Sequence, residues 1–137
     1  MLRAFISFAS EDAWARDCLV KQSQFRRTPW TFEDGSLQVP FNDRTWKKHT
    51  YPLIECSDVF ILFIGQDTYQ ARGAIWEVDC ARKMRKPIFG IQIKRDAPGR
   101  IPYCMTNIPI IPWDFGEILE QLERSYNWAA RNVRARW

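Results

Sequence analysis

Histidine is nearly missing from this sequence, and so are the spacings that metal sites need. His49 is the single histidine, and the four cysteines, Cys18, Cys56, Cys80 and Cys104, stand far apart with no C-x-x-C pair. No zinc motif is present and no metal site is expected. Cys56 and Cys80 fit small core residues better than nucleophiles. No secretory leader pattern opens the chain, and the three cysteines before Cys104 fall in helix-like contexts. Buried or free thiols in a reducing cytoplasm are therefore expected, not disulfides. Long apolar runs are lacking too. The longest, "VFILFIG", is about a third of a membrane span, which points to a soluble cytoplasmic protein with no membrane partner.

Other absences narrow the chemistry. Neither G-x-G-x-x-G nor a P-loop occurs, so a standard dinucleotide-binding Rossmann site is not supported. Ser7, Ser10 and Ser36 have no histidine and acid arranged around them, which removes serine-hydrolase chemistry. Repeats, low-complexity tracts and linkers are absent, and residues 1–137 are expected to form one domain. Charge of one sign is in small excess: twenty Lys plus Arg against sixteen Asp plus Glu leave +4. Part of that sits in "RNVRARW", where Arg131, Arg134 and Arg136 equally describe a solvated helix end. With no stacking or groove-reading motif beside them, no nucleic-acid partner is expected.

What the chain does have is core. It is 46% hydrophobic and 15% aromatic with seven tryptophans, far from the composition of disorder. "RAFISF", "DVFILFIG" and "KPIFGIQIK" read as strands, and their continuous apolar character suits burial on both faces. Helix-like segments separate them, which predicts an α/β fold with a parallel sheet covered on each side. The first helix is expected from Ser10, whose hydroxyl would cap it, to about Phe25, with Trp14, Cys18 and Phe25 as its buried stripe. A long loop follows from Arg26 to Asn42, holding a short strand at Trp30 to Phe32. Further helices are expected at Asp43 to Cys56, interrupted or kinked by Pro52, at Arg72 to about Arg85, and at Phe115 to Arg131. The last carries Ile118, Leu119, Leu122 and Tyr126 at helical spacing. "IPII" reads as a last, edge strand.

In open parallel sheets, ligands sit beyond the carboxyl ends of the strands. That rule nominates "FASED", the loop around "EDGSLQVPF", "GQDTYQARG" and the loop from Arg95. Glu77 follows the third of these. One reading makes it a first-turn acid stabilised by the helix dipole. Another notes Gly73, Ala74, Ala81 and Met84 on the same helical face, an apolar and narrow surface from which a carboxylate would emerge partly desolvated. His49, beside Lys47 and Lys48, reads as exposed. Asp34 and Asp67 lie in turn-rich sequence, where aspartate commonly bonds nearby backbone.

Four pieces in order carry a resemblance: "AFISFASED", "EDGSLQVPF", "CSDVFILFIGQDTYQ" and "WEVDCARKMRKPIFGIQI". From about Arg3 to Ile93 the chain resembles the TIR-like family that includes the Thoeris antiphage-defence proteins, a subgroup of the Toll/interleukin-1 receptor fold. "SFASED" looks like the family's S-F-x-x-x-D, "IGQDTY" like its I-G-x-x-T, and the last piece like its aromatic-Glu helix and K-P-I-x-G-I ending. The resemblance implies a flavodoxin-like three-layer sandwich of four to five parallel strands. It implies cleavage of the nicotinamide ribosyl bond of NAD, with NAD as substrate and no separate cofactor. The product would be a signalling nucleotide, a cyclic ADP-ribose isomer or an ADP-ribose conjugate, that switches on a separate effector. Self-association with other TIR-like copies is implied as well.

The resemblance maps the family's catalytic glutamate onto Glu77. Losing nicotinamide leaves positive charge on the ribose carbon, and an anion nearby stabilises that oxocarbenium-like state. Phe8 and Ala9 match positions at the nicotinamide end, and Asp34 to Phe41 matches the family's mobile loop. Ser10, Asp34, Ser36, Trp46 and Trp76 complete the implied substrate contacts. Where the family usually has tryptophan, four residues before the glutamate, this chain has Gly73, and it is short beyond Ile93. Two alternatives stand beside the enzyme. One is a non-catalytic interaction module using an exposed aromatic and basic loop, "RRTPWTFEDG". The other is a flavin- or phosphate-binding response-regulator-like domain, with Asp12 alone after the first strand.

Overall fold

The computed structural model describes residues 2–35 and 43–135. Five parallel strands form one sheet: β1 (Leu2–Ser7), β2 (Trp30–Glu33), β3 (Val59–Ile64), β4 (Ile88–Gln92) and β5 (Ile110–Pro112), in the order β2-β1-β3-β4-β5. Four helices cover it: α1 (Ala13–Phe25), α2 (Asp43–Glu55), α3 (Arg72–Lys83) and α4 (Phe115–Ala135). This is the expected three-layer α/β arrangement with flavodoxin-like strand order.

Strand periodicity decides which residue meets which helix layer. Ala4 and Ile6 of β1, and Val59, Ile61 and Phe63 of β3, pack with Ala15 and Leu19 of α1 and Ile118 and Leu122 of α4. Phe5 of β1, and Phe60, Leu62 and Ile64 of β3, pack with Ile54 of α2 and Ala74, Val78 and Ala81 of α3. All six residues of β3 are buried, which is why that strand reads as an unbroken apolar run. Phe5 and Phe60 stack with centroids 5.3 Å apart on the α2/α3 side. By the same alternation Ser7, two residues after Phe5, points toward α2 and α3.

The helices correct several expectations. Ser10–Asp12 form a 3-10 turn ahead of α1, and no side chain caps it, so Ser10 is not the expected N-cap. The buried stripe of α1 is Ala15, Leu19 and Ser23. Trp14 and Phe25 are 44% and 86% exposed, and Cys18 is exposed. The stripe is displaced by one residue, ~100° around the helix, because a small residue at position 15 lets α1 approach the sheet. Trp14 lies outside instead, with Lys94 Nζ 6.0 Å from its ring.

Pro52 neither breaks nor restarts α2, which continues to Glu55. Lys48, whose carbonyl loses its helical donor, and Pro52 are both exposed. Cys56 is exposed, not a core residue; Cys80 is buried. α3 stops two residues earlier than Arg85, which adopts a left-handed φ of 59° just before Pro87. α4 runs beyond Arg131 to Ala135. The short strand expected at Trp30 to Phe32 is β2, but the Trp30 ring is not exposed as an interaction loop would have it: it is 8% exposed and meets Tyr126 edge-on at 6.3 Å.

Candidate active site

α3 presents a buried stripe of Ala74, Glu77, Val78 and Ala81, spaced three and four residues apart. Glu77 sits inside it at 5% exposure. It is the sixth residue of the helix, beyond the first turn, so the solvated dipole-stabilised reading fails. Ser7, sent to this side by the pleat of β1, donates a 2.6 Å hydrogen bond to Glu77 Oε1. The bond ties the last residue of β1 to α3 at the carboxyl edge of the sheet.

The other carboxylate oxygen faces the start of the β2–α2 connection. A Cβ placed on Gly35 would lie 2.5 Å from Glu77 Oε2, 2.9 Å from Thr50 Oγ1 and 3.0 Å from the Trp46 indole nitrogen. Three polar atoms from α2 and α3 therefore converge where only glycine lets the backbone pass. Thr50 is fully buried, and its hydroxyl has no hydrogen-bond partner among the described residues.

Burial pushes the Glu77 carboxyl from an ordinary value near 4.5 up to about 8. The Ser7 hydrogen bond opposes the shift by favouring the charged form, and the Asp34 carboxylate reinforces it by repulsion. Asp34 is itself paired with Arg16 at 3.3 Å.

The remaining expected residues separate into those around Glu77 and those away from it. Trp46 is 8% exposed and Trp76 half-buried, their rings 5.0 Å apart at 56°. Trp76 turns away from Glu77 by one residue along the helix and carries Lys47 Nζ 5.5 Å from its ring. Phe8 packs into the α1/α4 layer, 6.4 Å from Phe63, and Arg16, which pairs with Asp34, lies over its ring at 5.3 Å. Ala9 is buried, and its carbonyl accepts the Asp12 amide at 2.8 Å; Ser10 is exposed. Ser36 and the rest of the expected loop, 36–42, lie outside the described residues. His49 is exposed, as expected.

Sequence reading passed over Ser7, Gly35 and Thr50. Ser7 was weighed only as a nucleophile; its signal was the odd position it shares with Phe5 in β1. Thr50 lies four residues from both Trp46 and Ile54, on the buried stripe of α2.

Asp12 does not open into a cleft. It is 6% exposed, Gly65 packs directly against its carboxylate, and burial raises its pKa. Among the described residues, no group of three or more His, Cys, Asp or Glu is placed to hold a metal ion. No described helix is long and apolar enough to cross a membrane.

Known proteins of this shape share the fold at low identity. A conserved protein from Enterococcus faecalis V583 superposes with a TM-score of 0.64 at 11% identity, covering 90% of this chain and 98% of that one. The CMP N-glycosidase BcmB from Clostridium botulinum superposes with a TM-score of 0.56 at 19% identity, covering 88% and 98%. No curated protein matches in sequence. The family described as Thoeris protein ThsB, TIR-like domain, matches residues 5–98, which take in the second half of β1, β2 to β4, the first three helices and both partners of the Ser7–Glu77 bond. The chain belongs to this Thoeris TIR-like family.

Proposed function

We propose that the protein cleaves the bond between nicotinamide and ribose in NAD, and that the ADP-ribose portion becomes a signalling nucleotide in antiphage defence. The observation that carries this reading is the buried Glu77 carboxyl, held by Ser7 and backed by the converging Thr50 and Trp46 groups. A carboxyl raised to about 8 is mostly neutral at pH 7. The cationic nicotinamide riboside beside it favours the ionised form, so substrate charge and the catalytic anion arise together.

In the reaction the C1′–N bond breaks and its electron pair passes to the nicotinamide ring, which leaves neutral. The ribose carbon becomes oxocarbenium-like, and the Glu77 carboxylate stabilises it. A hydroxyl from water or from a second sugar adds to that carbon and releases its proton. Ser7 positions Glu77, and the Thr50 hydroxyl and Trp46 N–H offer polar contacts to ribose oxygens. The same fold houses a CMP N-glycosidase, so cleavage of a base–ribose bond is compatible with this scaffold. The product, whether cyclic or conjugated, would act on a separate effector, and assembly of several copies would accompany activation.

The interaction-module reading loses its aromatic anchor, because Trp30 is core, and keeps only the exposed Arg26 and Arg27 of its loop. The deciding experiment is incubation with NAD, alone and with extract of phage-infected cells, followed by mass spectrometry of the nucleotides. Nicotinamide release by the wild type and its loss in Glu77→Gln support the reading. A folded Glu77→Gln protein with full activity sinks the assignment of Glu77.

A further inference from the structure

Away from the Glu77 site, a cavity of about 690 Å³ opens between the carboxyl end of α3, the start of β4, the segment before β5 and the outer face of α4. It shares none of Ser7, Asp34, Trp46, Thr50 or Glu77 with the site above. Among the described residues, every charged side chain lining it is cationic: Arg82, Lys86, Arg124 and Arg131. Two of these are fixed. Arg82 donates to the Cys104 and Thr106 carbonyls at 3.1 and 3.4 Å, and Lys86 Nζ donates to those of Glu55 and Ser57 at 2.6 and 2.9 Å. Carbonyl acceptors orient these groups without neutralising them, so a standing positive field remains.

The other two ride on α4 with an indole between them. Arg124, Trp128 and Arg131 are spaced four and three residues apart, hence on one face. Trp128 is 55% exposed, and among the described residues Arg124 makes a long surface ion pair of 3.8 Å to Glu120. This stripe is separate from the Ile118–Leu122 stripe that packs on the sheet. The floor is apolar, from Ile88 and Ile108. The volume is in the range of small-molecule sites, roughly 300–1,000 Å³. A bare anion would leave the indole and the apolar floor unused. A neutral ring would leave the cations without a counter-charge.

We infer that this cavity binds a free mononucleotide, with the base against Trp128 and the phosphate between Arg124, Arg131 and the anchored Arg82 and Lys86. The inference stands independently of NAD cleavage.

Adenosine monophosphate is the probe, titrated into the intact protein by calorimetry with inorganic phosphate, adenosine and a short single-stranded oligoadenylate as parallel arms. Saturable AMP binding is expected, weakened about tenfold or more by Arg124→Glu and by Trp128→Ala, unchanged by Glu77→Gln and reduced by added salt. Arg124 is a surface side chain, so its variant keeps the fold if Trp128→Ala does not. Absence of AMP binding overturns the proposal, as does binding lost in Glu77→Gln but kept in the α4 variants. Phosphate or adenosine binding as tightly as AMP overturns the nucleotide class. An oligoadenylate binding more than about tenfold tighter than AMP replaces the free nucleotide with a nucleic-acid strand.

Discussion

Trp46 fills the space beside Gly73: a Cβ on Gly73 would sit 3.5 Å from Trp46 Cη2 and 3.6 Å from Cζ2. Gly73 stands where the resemblance led to the expectation of a tryptophan, and the Trp46 ring of α2 lies against that position. An alanine at 73 makes only ordinary contact, and because Gly73 is the second residue of α3 its replacement should stabilise by less than the roughly 0.5–1 kcal/mol of a helix-interior glycine. Gly73→Trp should clash with Trp46 and destabilise, and adding Trp46→Ala should recover part of the loss. A double-mutant cycle from denaturant melts measures this coupling, and strictly additive losses would show that the two positions do not share the space.

Glu77→Gln should reduce nicotinamide release by on the order of 100-fold or more, the scale of losing a charge-stabilising group. It should also change the pH dependence of folding. The folded pKa, about 8, is above the ordinary 4.5. Glu77 therefore contributes stability that is complete below about 4.5 and lost as pH rises through about 8, on the order of a few kcal/mol. Wild type should lose stability across that window, and the glutamine variant should lack this component. Parallel slopes for the two proteins in urea melts would contradict the raised pKa.

Ser7 and Asp34 should shift the Glu77 titration in opposite directions. Ser7→Ala removes the hydrogen bond that favours the anion, so the midpoint rises. Asp34→Asn removes a repelling charge, so the midpoint falls. Carbon-13 NMR of the labelled carboxyl reads both, and the midpoint of the activity–pH profile should follow the same order.

Gly35→Ala has no room, since its Cβ would meet Glu77 Oε2 at 2.5 Å. Either the Glu77 carboxylate and its neighbours or the backbone has to shift, at about 1–3 kcal/mol, and the displaced carboxyl should become better solvated, which brings its pKa down. An unchanged melt together with an unchanged Glu77 titration would contradict this packing.

Thr50→Val replaces a buried hydroxyl that lacks a partner among the described residues with a methyl of the same shape. Stability should be equal or higher by up to about 1 kcal/mol, because no hydrogen bond is lost and a polar burial is relieved. If the hydroxyl contacts ribose, KM for NAD should rise several-fold with kcat nearly kept, whereas an unaltered KM would remove Thr50 from the binding role.

Much of the architecture was legible because it rests on local rules. Apolar runs marked β1, β3 and β4, and the spacing between them required crossover helices, hence a parallel sheet. Pro87 marked the end of α3. The stripe of α1 was misread since Trp14, Cys18 and Phe25 are apolar, yet the sheet accepted the small Ala15 and put the large ring outside. The short strand at Trp30 to Phe32 was legible and forms β2 beside β1, but the burial of the Trp30 ring was not, because it depends on α4 packing over that edge of the sheet.

For the candidate site, the sequence by itself determined that Glu77 stands among small apolar residues on one face of α3, since helical spacing depends only on chain geometry. It also carried the alternation that puts Ser7 on the same side as Phe5. Only the tertiary structure decided that these two faces meet, that Gly35 closes on the carboxylate, and that Trp46 takes the space left by Gly73. Those contacts join residues from four separate elements or their connections, and their distances depend on how α2 and α3 pack on the sheet. Burial set by that packing, and not the residue type, moves Glu77 from an ordinary surface acid to a carboxyl that is neutral at rest.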